Sequence, residues 1–518
     1  LLWICRVRRR GIAARALSTL LVALGVGVAG SGSARASVLN VSVEGAISRA
    51  VPSDFLGLAM EYRAIPEVTG AGLAGVNPVL VQLIRNLSPQ GRPSLRIGGQ
   101  STDRTWWPVP GMSRPLGVTY NLTPGWMATA RTLAIATDAK LILGVGLEAN
   151  RPRIDAVEAA QLQSGIGRRY LDAFEIGNEP ELYPLIAWYR TLHGVPIPWY
   201  STVGTEVFSR GLGYNPGAFV SDFSRALAAL PPAPAAGPVT GLLAWIKAFR
   251  PFVSRQSRVR MVTWHAYGLN QCVTVPTSPQ YPSVANLLSA RASRGFVNGI
   301  SPFVALAHGA GDTFRVDEMN SVTCNGRLGV SNTFASALWV MDALFTLAGD
   351  GVDGVNIHTY PDAANGLFDF TRAHGLWAAT VHPVYYGLEM FAQAAPAGSR
   401  LLRVVAPRAG AVRVRATVAP DHRTRVLLIN DSLSHAALAM VHAAAGGRPA
   451  ALERLLAPSA YATGGVTLGG VSFAAHSRTG TLPPVRPATL SPRSGAYAVS
   501  LPPASAALLT LPAGGHGG

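Results

Sequence analysis

The chain has 518 residues, 48% of them apolar and only 14% charged, which excludes a disordered polyelectrolyte and leaves material for a large core. Its 55 glycines and 38 prolines follow no Gly-X-Y period, so collagen-like and linker-like chains are excluded too. The formal charge of +17 is carried by arginine: Lys140 and Lys247 are the two lysines among 44 basic residues, and six arginines fall in residues 1–36, which hold no acid. The other basic residues are scattered singly, with no zinc-finger spacing, RNA-recognition motif or basic helix, so nucleic acid is not expected as a partner.

Residues 1–36 read as an export signal: arginines at 6 and 8–10, an apolar run from Ala16 to Gly30, then the small-residue exit Ala34-Arg35-Ala36. The run is too short and too rich in Gly and Ala for a bilayer span, which needs about 20 residues. The expectation is a secreted or periplasmic protein with no stable membrane insertion once the signal is removed. Cys5 leaves with that signal, so Cys272 and Cys324 are the pair available for a disulfide, the alternative being two separate buried thiols. Their spacing matches no zinc site.

Residues 37–53 contain an alternating apolar stretch expected to cross over and join a C-terminal sheet. Over 54–393 one grammar repeats: a short apolar run, a polar or glycine-bearing exit, then a stretch with helical spacing. The runs are 55–61, 94–98, 141–146, 174–177, 237–240, 261–267, 314–318 and 354–358. Eight such units predict a closed (β/α)₈ TIM barrel. Helical partners fit, since Val79, Leu80, Leu83, Ile84 and Leu87 fall on one helical face, and 334–347 is apolar around Asp342. Over 394–518 short alternating runs such as Val412-Arg413-Val414-Arg415-Ala416 predict an accessory C-terminal β-sandwich domain.

Reactive groups in such barrels sit where strands end, so the strand exits are the places to search. Two exits carry a glutamate: Phe174-Glu175-Ile176-Gly177-Asn178-Glu179-Pro180 and Phe314-Arg315-Val316-Asp317-Glu318-Met319-Asn320-Ser321. Cleaving a glycosidic bond takes one carboxylic acid to protonate the leaving oxygen and one carboxylate to meet the oxocarbenium-like carbon. Glu179 and Glu318, on the fourth and seventh strands, are placed to face each other across the barrel mouth.

Four stretches resemble a known family: Leu95-Arg96-Ile97-Gly98-Gly99-Gln100-Ser101-Thr102-Asp103-Arg104-Thr105-Trp106-Trp107, Ile176-Gly177-Asn178-Glu179-Pro180, Thr263-Trp264-His265-Ala266-Tyr267 and Asp317-Glu318-Met319-Asn320-Ser321. They are similar to the clan A glycoside hydrolases and, within them, to family 79, the β-glucuronidases and heparanase-like enzymes. The resemblance covers most of residues 38–518; Asn-Glu-Pro points to the clan, and Glu-Met-Asn-Ser with Arg-Ile-Gly-Gly upstream to the family. It implies that Glu179 is the acid/base and Glu318 the nucleophile, that Asn178 bonds the sugar 2-hydroxyl, and that Tyr267 orients the nucleophile. It also implies recognition of a uronic acid by tyrosine hydroxyls and backbone amides: Tyr360 matches the strand-eight tyrosine, and Asn325 or Gly326 matches the loop after the nucleophile. A Cys272–Cys324 bridge would pin that loop, whereas the tyrosine expected directly after the nucleophile is absent. Glu61 and Gln100 are candidates for sugar hydroxyls. Trp106, Trp107 and Trp264 either stack on sugars or pack, His265 reads as an orienting residue, and Asp317 as a neighbour on the opposite strand face, solvated or paired with an arginine rather than catalytic.

Gly144-Val145-Gly146-Leu147-Glu148-Ala149 fits a dinucleotide fingerprint but lacks the acid about 20 residues on. The reading is a retaining β-glucuronidase-like hydrolase whose partner is a carbohydrate carrying β-linked uronic acid, with no metal or organic cofactor implied. The alternatives are an endo-acting heparanase-like enzyme, another clan A specificity such as arabinofuranosidase or xylosidase, and a non-catalytic sugar- or polyanion-binding protein.

Overall fold

A computed structural model describes residues 37–70, 75–253, 258–406, 410–443 and 447–513; the expected export signal, with Cys5, lies outside them. Eight strands, β1 (Leu56–Glu61), β2 (Ser94–Gly98), β3 (Lys140–Val145), β4 (Leu171–Ile176), β5 (Ala235–Thr240), β6 (Val259–Leu269), β7 (Thr313–Val322) and β8 (Gly354–His358), close into a parallel barrel. Each contains or overlaps one of the eight apolar runs. Covered by helices outside and packed inside, they read as continuous apolar stretches rather than as alternation, as Leu141-Ile142-Leu143 does.

The helices follow from caps and stripes. In α1 (Pro78–Leu87) the Asn77 side chain accepts from the amides of Val79 and Leu80, proline takes a first-turn position where no N–H is needed, and the predicted stripe is buried. Helix α2 (Phe334–Gly349) is apolar nearly all round because it is covered nearly all round, by α3 (Pro383–Ala394) and by the C-terminal sheet. The Asp342 carboxylate within α2 is met by Arg415 of that sheet at 2.6 Å and by Ser293 at 2.6 Å.

The C-terminal unit is one continuously hydrogen-bonded ten-stranded sheet that folds over its own core. The N-terminal strand Ser37–Ala50 completes it, parallel to Ala437–His442 and antiparallel to Arg400–Val405. Alternation splits the strand Thr424–Asn430 between two cores: Val426 and Leu428 face the sheet's own interior, while Leu427 and Ile429 join the core shared with the barrel.

Three additions on the barrel's catalytic face were not expected from the sequence: a parallel pair (Thr105–Trp106, Tyr120–Asn121), a three-stranded sheet (Tyr189–Leu192, Val195–Ile197, Thr205–Val207) and a hairpin (Phe368–Ala373, Leu376–Val381). His193-Gly194 and His374-Gly375, all four at positive φ, make the two-residue turns. Among the described residues no helix is long and apolar enough to cross a membrane.

Candidate active site

The exit of β4 is built to aim a carboxylate. Gly177 has φ +78°, and a Cβ there would lie 2.6 Å from the Tyr183 hydroxyl, so glycine alone fits. Glu179 is itself left-handed at φ 46°, its N–H donating to the Val239 carbonyl at 2.7 Å, and Pro180 then opens a short 3₁₀ turn. Such a backbone is held only where its surroundings over-determine it. Asp103, buried, is the brace: it accepts from the amides of Leu147, Glu148 and Asn178 and from the Tyr183 hydroxyl, tying the exits of β3 and β4 together.

On β7 the pairing with β6 runs Thr263 to Arg315 and then His265 to Glu318, so β7 holds one extra residue between those pairs. This bulge decides which side chains point inward. Arg315 and Asp317 face the barrel interior by ordinary alternation, and the extra residue lets Glu318 do so as well. Asp317 therefore does not turn to the opposite face; it is fully buried, 3.2 Å from Arg96 Nε.

Glu179, His265 and Glu318 converge, each offering one atom within 4.8 Å of the others. His265 Nδ1 lies 3.1 Å from Glu179 Oε1 and 3.9 Å from Glu318 Oε2. The Tyr267 hydroxyl donates to Glu318 Oε1 at 2.6 Å, and Arg96 Nη1 to Oε2 at 2.7 Å. Arg96, wholly buried in the barrel, also donates to Glu175 at 2.5 Å and to Asn178 Oδ1 at 2.9 Å. With Oδ1 taken, the Asn178 amide presents its N–H₂ to a ligand, as a contact to a hydroxyl oxygen requires.

The two glutamates have unlike surroundings. Burial pushes the Glu318 carboxyl up, but His265, His358, Arg96 and the Tyr267 hydroxyl together hold it well below the usual range, so it is ionised. Its side chain is 10% exposed, against 27% for Glu179. Burial lowers His265, yet Glu318, Asp317 and the bond to Glu179 outweigh it and raise the imidazole to about 9, so it carries a proton at neutral pH. Burial, with the neighbouring Asp317, pushes the Glu175 carboxyl well above its ordinary value, against the pull of Arg96. Among the described residues the Glu179, His265 and Glu318 trio is the one cluster with ligand spacing for a cation, but Arg96 and a protonated imidazole already occupy its charge.

Glu61 is fixed by the amides of Gln100 at 3.1 Å and Ser101 at 2.7 Å, with His358 Nε2 3.8 Å away, while the Gln100 side chain is partly exposed. Tyr360 is half-buried beyond Glu61. Thr323 to Gly326 form a turn closed by the Gly326 N–H on the Thr323 carbonyl at 3.2 Å, so the Gly326 amide is used internally. The Asn325 carbonyl accepts from Asn365. The expected Cys272–Cys324 bridge is not formed: Cys324 is a free, exposed thiol on that turn. Hydrogen bonds join the two loops instead, the Gln271 N–H reaching Thr323 Oγ1 at 3.0 Å and the Thr323 N–H the Leu269 carbonyl at 3.2 Å. Trp106 and Trp264 are buried, donating to Asn121 at 2.8 Å and to the Gly241 carbonyl at 3.4 Å, which makes them packing residues.

The sequence pattern alone assigns no role to Arg96, Asp103 or Glu181. An arginine inside an apolar strand was the available signal for the first. Glu181, two residues past Glu179, holds the exit of β5 by accepting from the Gly241 amide at 2.6 Å and Thr240 Oγ1 at 2.8 Å. Burial and the neighbouring Glu179 raise it to about 7.

No family model and no curated protein matches this sequence. Solved structures do. A 4-O-α-L-rhamnosyl-β-D-glucuronidase from Fusarium oxysporum superposes over 92% of this chain and 100% of its own, with TM-score 0.67 and 18% identity. A GH51 arabinofuranosidase from Xanthomonas axonopodis covers 92% and 99% (TM-score 0.62, 14% identity), and a GH family 44 xyloglucanase from Paenibacillus polymyxa 92% and 99% (TM-score 0.55, 10% identity). The shared fold is a (β/α)₈ barrel with a β-rich accessory domain.

Proposed function

We propose that this chain is a retaining glycoside hydrolase acting on β-linked glucuronic acid. The observation that carries the reading is the pair of carboxylates, Glu179 and Glu318, whose oxygens lie within 4.8 Å across the barrel mouth, Glu318 the more buried of the two. Carboxyl groups about 5–5.5 Å apart leave room for a covalent intermediate, whereas the inverting arrangement needs about 6.5–9.5 Å for a water.

In the first half-reaction the ionised Glu318 attacks the anomeric carbon while Glu179 gives its proton to the leaving oxygen, so the C–O bond breaks as the glycosyl–Glu318 ester forms. His265 Nδ1, 3.1 Å from Glu179 Oε1, fixes the orientation of that carboxyl. In the second half Glu179 takes a proton from water, the hydroxide oxygen displaces Glu318, and the anomeric configuration is restored. Asn178 holds the 2-hydroxyl and Tyr267 keeps Glu318 aligned. The preference for a uronate over a neutral sugar rests on the motif resemblance and on the glucuronidase among the structural neighbours. Export is part of the same proposal and rests on residues 1–36.

The test is release of aryl alcohol from a β-D-glucuronide beside the matching β-glucoside, β-xyloside and α-arabinofuranoside, with product configuration followed by NMR. Retention is expected, with glucuronide the preferred substrate. Glu179→Ala should lose roughly 10²–10⁴-fold in kcat, and Glu318→Ala at least as much. Turnover of neutral glycosides alone would keep the hydrolase and remove the uronate preference.

A further inference from the structure

Because Glu179 must reach the glycosidic oxygen, the sugar ring in the site extends away from β4, toward the exits of β8, β1 and β2. Glu61, His358 and Tyr360 line that side. Glu61 is immobilised by the Gln100 and Ser101 amides, and next to it stands Tyr360, half-buried, whose hydroxyl has no partner among the described residues. Two residues past Glu61, Arg63 is exposed, and its guanidinium carbon lies 6.0 Å from the centroid of the Tyr360 ring. Arg63 makes no ion pair with any described residue, although most arginines of the site are bound into carboxylates, as Arg96 and Arg104 are. The Gly326 amide, the family-like alternative for binding an acid, is spent on its own turn.

We propose that Arg63, seated over Tyr360, is a specificity-determining residue that binds the carboxylate of the uronic acid at the far end of the ring. The inference rests on the glycosidase reading above. Its physical basis is charge balance: Glu61, Glu67 and Asp362 place negative charge around Tyr360, which Arg63 offsets on the exposed side and His358, 3.8 Å from Glu61, on the buried side. A guanidinium beside a phenol hydroxyl supplies the charge-assisted donors that a carboxylate needs, and a neutral hydroxymethyl group gains little from either.

The experiment compares wild type, Arg63→Ala, Arg63→Lys and Tyr360→Phe on an aryl β-D-glucuronide and the matching β-D-glucoside. Arg63 is exposed, so Arg63→Ala should fold, and a matched melting temperature checks it. Arg63→Ala is expected to lose roughly 10- to 100-fold in kcat/KM for the glucuronide, mostly through KM, with the glucoside unchanged. Arg63→Lys should recover part of the loss. A glucuronide-to-glucoside ratio equal in wild type and Arg63→Ala would overturn the role of Arg63 and leave the glucuronidase reading standing. Wild type that cleaves only neutral glycosides would overturn that reading, and the role of Arg63 with it.

Discussion

Two arginines fill the inside of the barrel, one at each end, and different chemistry holds each. Arg96, at the catalytic end, is wholly buried among Glu175, Asp317, Glu318 and the Asn178 amide. Arg315, at the other end, donates to Asn356 Oδ1 at 3.0 Å and to the Asp54 backbone carbonyl at 3.0 Å, with the Asp54 carboxylate 3.4 Å away. Asn356 passes the bond on to the carbonyls of Leu58 and Ser94. Burying several ionisable groups around one guanidinium carries a desolvation cost that a neutral amide does not. The barrel gathers three carboxyl groups around its arginine at the catalytic end, and at the other end meets Arg315 with an amide, a carbonyl and one part-exposed carboxylate.

Substituting each arginine breaks the comparison most directly. Arg96→Met leaves Asp317 and Glu318 buried without their cation, and should destabilise the fold by about 3–5 kcal/mol in urea denaturation. Where enough protein folds, the acid limb of the pH–rate profile should move to higher pH, because one of the groups holding Glu318 low is gone. Arg315→Met takes a donor from the Asn356 amide oxygen, the Asp54 carbonyl and the part-exposed Asp54 carboxylate, a cost of about 1–3 kcal/mol, and should leave that limb where it was. An acid limb that moves equally in both variants would show that the two ends are electrostatically alike.

The contrast between the ends explains what the sequence made legible. The eight strands are readable because most of their residues are buried on both faces and so form short, mainly apolar runs, and Glu179 and Glu318 are readable because they sit at the ends of such runs. Asp317 was misplaced because alternation assumes an unbroken ladder, and nothing in Val316-Asp317-Glu318-Met319 announces the bulge. The His-Gly hairpins at 193–194 and 374–375 were passed over because Asn-Gly or Asp-Gly is the usual mark of that turn. The glycines that looked like a phosphate cradle have a packing reason: a Cβ on Gly144 would lie 2.3 Å from Thr102 Oγ1. The Cys272–Cys324 pairing followed from compartment and count, and neither fixes the geometry of two loops.

The protonated His265 sharpens the comparison on the pH axis, since it lies against the carboxylates of the catalytic end. Its folded value, about 9, lies above the ordinary 6.5, so the stability it contributes is fully present below about 6.5 and is lost as pH rises through about 9. Denaturation midpoints should fall across that window with a slope of up to about 1.4 kcal/mol per pH unit, and His265→Gln should flatten it. Glu318 works with the opposite sign: its folded value is depressed, so its contribution is present above the ordinary 4.5 and is lost only as pH falls well below it.

The smallest expected effect comes from a matched pair of glycines. A Cβ on Gly354 would lie 2.2 Å from the Arg315 guanidinium carbon, and one on Gly177 would lie 2.6 Å from the Tyr183 hydroxyl, so both alanine substitutions overpack a side chain that must shift. Each should cost about 1–3 kcal/mol of stability. Their effects on turnover should differ, because the shift at Gly354 is absorbed by an arginine with no part in the chemistry, whereas Gly177 also needs its positive φ to deliver Asn178 and Glu179. Gly354→Ala should keep wild-type kcat and KM below its lowered melting point, while Gly177→Ala loses kcat at temperatures where it remains folded. Equal kcat in the two variants would mean that the exit of β4 tolerates displacement, and that the network through Asp103 and Tyr183, rather than the backbone at Gly177, positions the acid/base.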